Sequence, residues 1–576
     1  MARAGDRLNA AGRGRHLLVM ACAPSILLLA ALAACAKPAG RELDSRTSAA
    51  PVASRPPPRP GRFALANRVA YIPPQCYTRT RGENGAPASN PCYACHARSE
   101  PPNYVNDADL QLTLSLPVAA ERNPWTNVLD PPAAHAPPMS DDDVLTYVRR
   151  SNYLDEEALT LAQTLDQLPD EDGTGLREWR GFRPDAWFSF DERGFDRRPD
   201  GTLTGWRAFA YYPFLGTFFP TNGSMDDVLI RLDPLLQEDT QGHYDQRIYE
   251  INLAVVEALV ARRDVPVDPI DERLLGVDLD LDGRIGLTTR VAYGKGTRYA
   301  GRAATLPVGT FSLAPGLFPV NTEFLHSVRY LDVGPDGAVE MASRMKELRY
   351  AKKVRWLSDA ELKDKAARES AEQAASPDGV VYFAPEADRG VYNGQGWFLQ
   401  GFIEASDGAL RPQSYEETVA CVGCHGGIGA TTDSVFSFPR KLPATSPARG
   451  WFHWTQHGLR GIPEPRRRDG RYEYTLYLEA NHAGDELHEN TEVLGRFFDA
   501  GGQLRREEVA RLHADIATLL MPSAARAIDL DRAYLAIVRE QSFVRGREVV
   551  LAPTAHVHVR APIGETTGVS RSLAGR

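Results

Sequence analysis

Two pentapeptides of one pattern constrain this chain more than any other feature. They are Cys92-Tyr93-Ala94-Cys95-His96 and Cys421-Val422-Gly423-Cys424-His425. Each presents two thiols with an imidazole directly after them, and the two lie 329 residues apart. With 13 His among 576 residues, a His after both pairs by chance has a probability of about 5 in 10,000. A zinc ribbon would set its thiol pairs ~15–20 residues apart. A thioredoxin-like redox pair would sit in the strand-to-helix turn of a βαβ unit, and neither flank reads that way.

The chemistry that needs this spacing is covalent heme attachment. Two thiolates add across the two vinyl groups, and the adjacent His comes under the iron. Cys92, Cys95, Cys421 and Cys424 are therefore expected to attach two hemes c, with His96 and His425 as proximal iron ligands. At these two pentapeptides the chain resembles the c-type cytochromes, and the expectation is a diheme c-type cytochrome of the bacterial lipoprotein kind.

The N-terminus supports export. Arg3, Arg7, Arg13 and Arg15 precede an apolar run from Leu17 to Ala34, which ends Leu32-Ala33-Ala34-Cys35. This resembles a bacterial lipobox, with residues 1–34 as the signal peptide and Cys35 as the lipidation site. Residues 35–62 read as a Pro-rich basic tether, with six Pro between positions 38 and 60. The formal charge of −9 hides a leader of +3 and a tether of +4, so the remainder carries −16. That charge argues against nucleic acid as a partner and favours redox proteins with basic patches. The membrane is expected to be met by the lipid anchor alone, on the periplasmic side of the outer membrane or at the cell surface.

The two motifs sit in different local settings. Ser414-Tyr415-Glu416-Glu417 is a capping box, and Gly426-Gly427 ends the helix it starts. That resembles the N-terminal helix of a cytochrome c domain. The first motif is surrounded by Pro instead. The expected fold class is mixed α+β: a loop-rich lobe around heme 1 at 63–140, an α/β middle region at 141–405, a helical cytochrome c-like region around heme 2 at 406–560, and a flexible tail at 561–576. Helices are expected over Asp141–Leu168, Tyr244–Arg263 and Ser358–Ala375, and strands over Gly205–Tyr212, Trp397–Ile403 and Arg471–Leu478. Trp206 to Phe219 holds seven aromatic residues in fourteen, which suits a core wall, a heme pocket or an aromatic path between hemes.

The sixth iron position separates a carrier from an enzyme. Candidate distal ligands are Met139 and His135 for the first heme, and His453 and His457, which would share a helix face, for the second. His326, flanked by apolar residues, suits a core position or a ligand. His556 and His558 would share one side of a strand. Cys76 has no evident partner once the other thiols are assigned.

Asp278-x-Asp280-x-Asp282-Gly283 resembles the first half of an EF-hand loop, with the Arg284 carbonyl at the next vertex. Thr289 stands where the bidentate Glu would be, so that ligand is missing or comes from elsewhere. A Ca²⁺ ion here carries a weak resemblance to the bacterial diheme peroxidases, from which the much longer motif spacing departs. The function expected is one-electron transfer by an exported, membrane-anchored diheme protein. The alternatives are a diheme peroxidase- or oxygenase-type oxidoreductase with one open heme, and an anchored binding protein without heme.

Overall fold

A computed structural model describes residues 65–569, apart from 82–86, 90–91, 107, 136–137, 156–157, 170–174, 177, 216–218 and 482–489. The signal peptide, Cys35 and the Pro-rich tether lie outside the described residues, as do the last residues of the chain.

Ten strands form one antiparallel sheet. They are β1 (Phe195–Arg197), β2 (Leu203–Ala208), β3 (Met225–Asp226), β4 (Leu229–Arg231), β5 (Glu323–Val333), β6 (Val339–Lys353), β7 (Pro385–Glu386), β8 (Gly390–Tyr392), β9 (Trp397–Glu404) and β10 (Leu410–Pro412). The order across the sheet is β7-β8-β9-β6-β5-β4-β2-β1, with β10 added to β9 and β3 to β5. The mixed α and β content is as the sequence indicates. The spine is the β5–β6 hairpin, which turns at Asp336-Gly337, where Gly337 takes φ 78°. A side chain at that φ would be strained, so the Asp-Gly pair suits the turn.

The period of two along β5 divides the core. Leu325 faces one way, joining Leu229, Leu348 and Phe402 under Tyr153, Leu161 and Trp179. Phe324 faces the other way, joining Ile230 and Trp397 under the helix Gln246–Ala261. The helices used below are α1 (Cys92–Cys95), α2 (Asp141–Arg149), α3 (Gln246–Ala261), α4 (Asp359–Ala375), α5 (Tyr415–His425) and α6 (Ala524–Glu540). Helices α3 and α6 bury most of their length and cover opposite ends of the sheet. No helix among the described residues is long and apolar enough to cross a membrane.

The structure differs from the sequence reading in four elements. The helix expected over Asp141–Leu168 stops at Arg149. Asn152 breaks it by pairing with the β6 backbone: its Nδ2 donates to Met345 O at 2.9 Å, and its Oδ1 accepts from Met345 N at 3.0 Å. A short second helix follows at Thr160–Asp166. Arg471–Leu478 is not a strand; Glu473–Asn481 is a helix that buries Tyr474, Tyr477 and Leu478. The same apolar residues fit period 2 and period 3.6, and burial chose the helix. His556 and His558 lie on no strand. The tail expected from residue 561 is hydrogen-bonded to the first lobe as far as Thr567, whose N–H donates to Leu112 O at 3.0 Å.

Candidate functional site

Helix α5 carries the second motif because its N-terminus is capped. Ser414 Oγ accepts from Glu417 N, and the Glu417 carboxylate accepts from Ser414 N at 2.8 Å. Glu417 is also buried against Arg411, with two contacts of 2.9 Å. Paired charge and backbone donors hold its carboxyl below the usual glutamate range, against the opposing pull of burial. The preceding residue, Glu416, accepts from Ala66 N at 2.8 Å and Asn67 N at 2.6 Å. One turn of α5 thus fixes both its own start and the beginning of the first lobe.

The first motif forms a single turn, α1, closed by His96 N donating to Cys92 O at 2.7 Å. Its support comes from the second motif. Ala430 N, five residues past His425, donates to Cys95 O at 3.0 Å. Gly429 lies so close to this turn that a Cβ there would stand 1.8 Å from Ala97 O. Gly423, inside the second motif, has the same relation to Tyr71 O at 1.9 Å. Both glycines serve close backbone approach.

The two motifs, 329 residues apart in sequence, line one cavity of about 1000 Å³. Cys92, Cys95 and His96 lie on its wall with Cys421, Cys424 and His425, and Cys76 is there too. Part of the wall is a face of the sheet. Phe324 and His326 on β5 pair directly with Ala351 and Arg349 on β6, so these alternate residues share that face. The cavity is at the upper end of the ~300–1,000 Å³ seen for ligand sites.

Burial pushes the Cys92 and Cys424 thiols up to about 11. Cys76 is pushed up further, first by burial and then by Cys92 and Cys424 beside it. These are neutral thiols, not the low-pKa thiolate that redox exchange uses. Nor are they gathered with a His around a metal. Among the described residues, the one group of three or more His, Cys, Asp or Glu with ligand atoms within 4.8 Å of one another is Glu272, Asp278 and Asp280.

His425 is oriented by strain. Its Nδ1 lies 2.8 Å from Ser434 O, which makes Nδ1 the protonated nitrogen and leaves the Nε2 lone pair for a metal. Asp433 and Ser434 both adopt left-handed backbone, at φ 52° and 64°. Such residues persist where surroundings over-determine them. Here Asp433 is held by the fully buried Lys353 at 2.5 and 2.7 Å, and accepts from Phe318 N at 3.0 Å.

The five candidate distal residues separate. His326 lies on the cavity wall. His453 does not: its Nε2 meets Asp227 at 3.0 Å, its Nδ1 meets Thr455 Oγ1 at 2.8 Å, and its ring stacks on Phe190. It is a satisfied core histidine. Residues 453–457 form a turn, so His453 and His457 do not share a helix face, and His457 is exposed. Met139 packs on the core, and its Sδ accepts from Arg539 Nη2 at 2.9 Å. The side chain of His135 is outside the described residues. His556 is exposed, and burial holds the half-buried His558 down to about 4.

Several cavity residues escaped the sequence reading. Asp226 is pushed up to about 7 by burial and accepts from Tyr211 Oη. Arg349 and Arg547 are both held by Glu347, at 2.9 and 3.0 Å. Burial opposes the charge of Glu347, yet its two guanidinium partners hold it down to about 2. Charges inside a strand, as in Lys346-Glu347-Leu348-Arg349, were the available signal. The aromatic segment divides: Phe209, Tyr211 and Phe214 line the cavity, while Trp206 and Phe219 are core.

The acidic loop also rearranges. Asp282 stands outside the carboxylate group, and Glu272, from before the loop, joins Asp278 and Asp280. Glu272 is 2% exposed and accepts from Leu279 N at 2.6 Å and Gly286 N at 2.9 Å, so it already organises the loop.

A family model whose description reads "-like lipoprotein" matches residues 61–515. An uncharacterized lipoprotein of Aquifex aeolicus (strain VF5) is 30% identical over 541 residues, covering 84% of this chain and 86% of the relative. No solved structure matches. These findings correct the resemblance to diheme c-type cytochromes and to bacterial diheme peroxidases: the family that spans the chain is a lipoprotein family. A short motif is shared by unrelated folds, so two pentapeptides do not carry family membership. Lipoprotein character makes this an exported, membrane-anchored protein, and the chain belongs to this lipoprotein family.

Proposed function

We propose that this lipoprotein attaches two hemes c in one cavity, through Cys92 and Cys95 and through Cys421 and Cys424, and passes single electrons outside the cytoplasmic membrane. His96 and His425 are the proximal ligands in this reading. The observation that carries it is the shared cavity, which joins two distant thiol–thiol–imidazole turns. The donor set fits the group: two pairs of thiols on the cavity wall for thioethers, and a His425 tautomer with Nε2 available. Arg349 and Arg547, fixed by Glu347, would meet the propionates. Bound heme would supply reversible one-electron exchange at iron.

The finer division into a loop-rich heme 1 lobe and a helical heme 2 region belongs to the same reading. So do partners with basic patches and a place on the periplasmic side of the outer membrane. Calcium is retained as a structural ion, with its ligands moved to Glu272, Asp278 and Asp280. A Tm raised by Ca²⁺ over chelator, and no longer raised in Glu272→Gln, tests that part.

The test of the main reading is the intact mass of the full chain, matured in a host that attaches heme in its periplasm. The expected result is two added heme masses, one lost in Cys92→Ser/Cys95→Ser and one in Cys421→Ser/Cys424→Ser. A mature chain with no added heme mass overturns the proposal.

A further inference from the structure

Asp226 and Asp227 are adjacent in the chain, and each faces a histidine. The Asp227–His453 pair is closed: both ring nitrogens are bonded and both side chains are 1% exposed. The other pair is open. His326 Nδ1 is shielded from solvent and has no hydrogen-bond partner, and Asp226 Oδ2 stands 3.8 Å away. That distance is too long for a hydrogen bond. No hydrogen bond reaches His326 Nε2 among the described residues either, although the ring keeps 21% of its surface and lines the cavity. A polar atom shielded from solvent is normally bonded, so this ring on the cavity wall has hydrogen-bonding capacity left unused.

The neighbours say which motif the ring serves. Arg349, its direct cross-strand partner on β6, lies opposite Gly401 of β9, whose carbonyl accepts from Gln413 N at 2.9 Å just ahead of α5, so the row of strands that holds His326 runs to the helix of the second motif. Arg349 also acts on Cys424 and His425.

We propose that His326 is the second axial ligand of the heme on Cys421 and Cys424, oriented by Asp226, which Tyr211 in turn orients. Asp226 is a positioning residue in this proposal: its carboxylate, 3.8 Å from Nδ1 in this structure, becomes the Nδ1–H acceptor when the ring turns toward it, which leaves Nε2 for iron. Tyr211 Oη donates to the other carboxylate oxygen and keeps Asp226 in place. This inference rests on the two-heme reading and deepens it, because it makes the second heme six-coordinate and so an electron carrier.

The experiment uses the matured full chain, with EPR and optical spectra of the ferric protein beside heme content by mass. His326→Ala should keep two hemes, convert one of them from low-spin to high-spin, and regain the low-spin signal with added imidazole. Asp226→Asn should also keep both hemes, with imidazole displacing His326 at about 10-fold lower concentration or less, the size of a lost orienting partner. Cys92→Ser/Cys95→Ser, which retains the second heme alone, should stay low-spin until His326→Ala is added. An unchanged spectrum in His326→Ala with two hemes attached overturns this inference and leaves the two-heme reading standing. A wild-type chain without heme overturns the reading itself.

Discussion

The two motifs share a pentapeptide pattern and differ in what holds them. The second ends a helix capped by Ser414, anchored by a buried Glu417–Arg411 pair, and backed by a strained turn pinned through buried Lys353. The first is one turn of helix in a lobe of short 3₁₀ turns, closed against the second motif by Ala430 N donating to Cys95 O at 3.0 Å. Its nearby ion pair, Glu100 with Arg468, is exposed. The difference teaches a dependence. The second motif is built on the sheet, and the first is built on the second.

That dependence can be broken in order of size. Glu417→Gln leaves Arg411 buried beside a neutral group, and breaking a buried pair costs about 3–5 kcal/mol. The urea midpoint should fall accordingly, and heme content should drop at both motifs. The acid limit follows from the same residue. Its folded carboxyl titrates below the 4.5 of a free Glu. Its contribution is therefore fully present above pH 4.5 and lost as pH falls through the folded value. Urea midpoints of wild type should decline below pH 4.5, and Glu417→Gln should flatten part of that decline.

Gly429→Ala tests the contact between the motifs. A Cβ 1.8 Å from Ala97 O forces the backbone apart, at a cost of roughly 1–3 kcal/mol as overpacking. Intact mass should show lost heme at Cys92 and Cys95 while Cys421 and Cys424 stay loaded. Equal loss at both would remove the asymmetry. Ser414→Ala should cost about 1 kcal/mol, the value of a helix N-cap, read from the thermal midpoint. Glu100→Gln, on the exposed pair, should cost under about 1 kcal/mol and leave heme content at two. A larger loss there would mean the first lobe has its own foundation.

Local chemistry was legible before the fold. The capping box at Ser414 stands as local rules require, because its hydrogen bonds span three residues. The helix at Gln246–Ala261 and the strand at Trp397–Glu404 follow from apolar period. Where one apolar run satisfies two periods, as at Glu473–Asn481, the sequence alone gave the wrong element. Where a distant backbone competes, as Met345 does for Asn152, local periodicity ran too long.

The sequence by itself determined that two thiol pairs each precede an imidazole, that the start of the chain resembles an export and lipidation signal, and that α5 begins at Ser414. Those are properties of neighbours along the chain. Only the tertiary structure decided that both motifs share a cavity, that Glu272 joins Asp278 and Asp280, and that His326 rather than Met139, His453 or His457 lines that cavity. The reason is physical. A side chain's chemistry is written in its type, but its partners are set by which face of a strand it occupies. That face is chosen by the hydrophobic burial of its neighbours Phe324 and Leu325 rather than by the histidine itself.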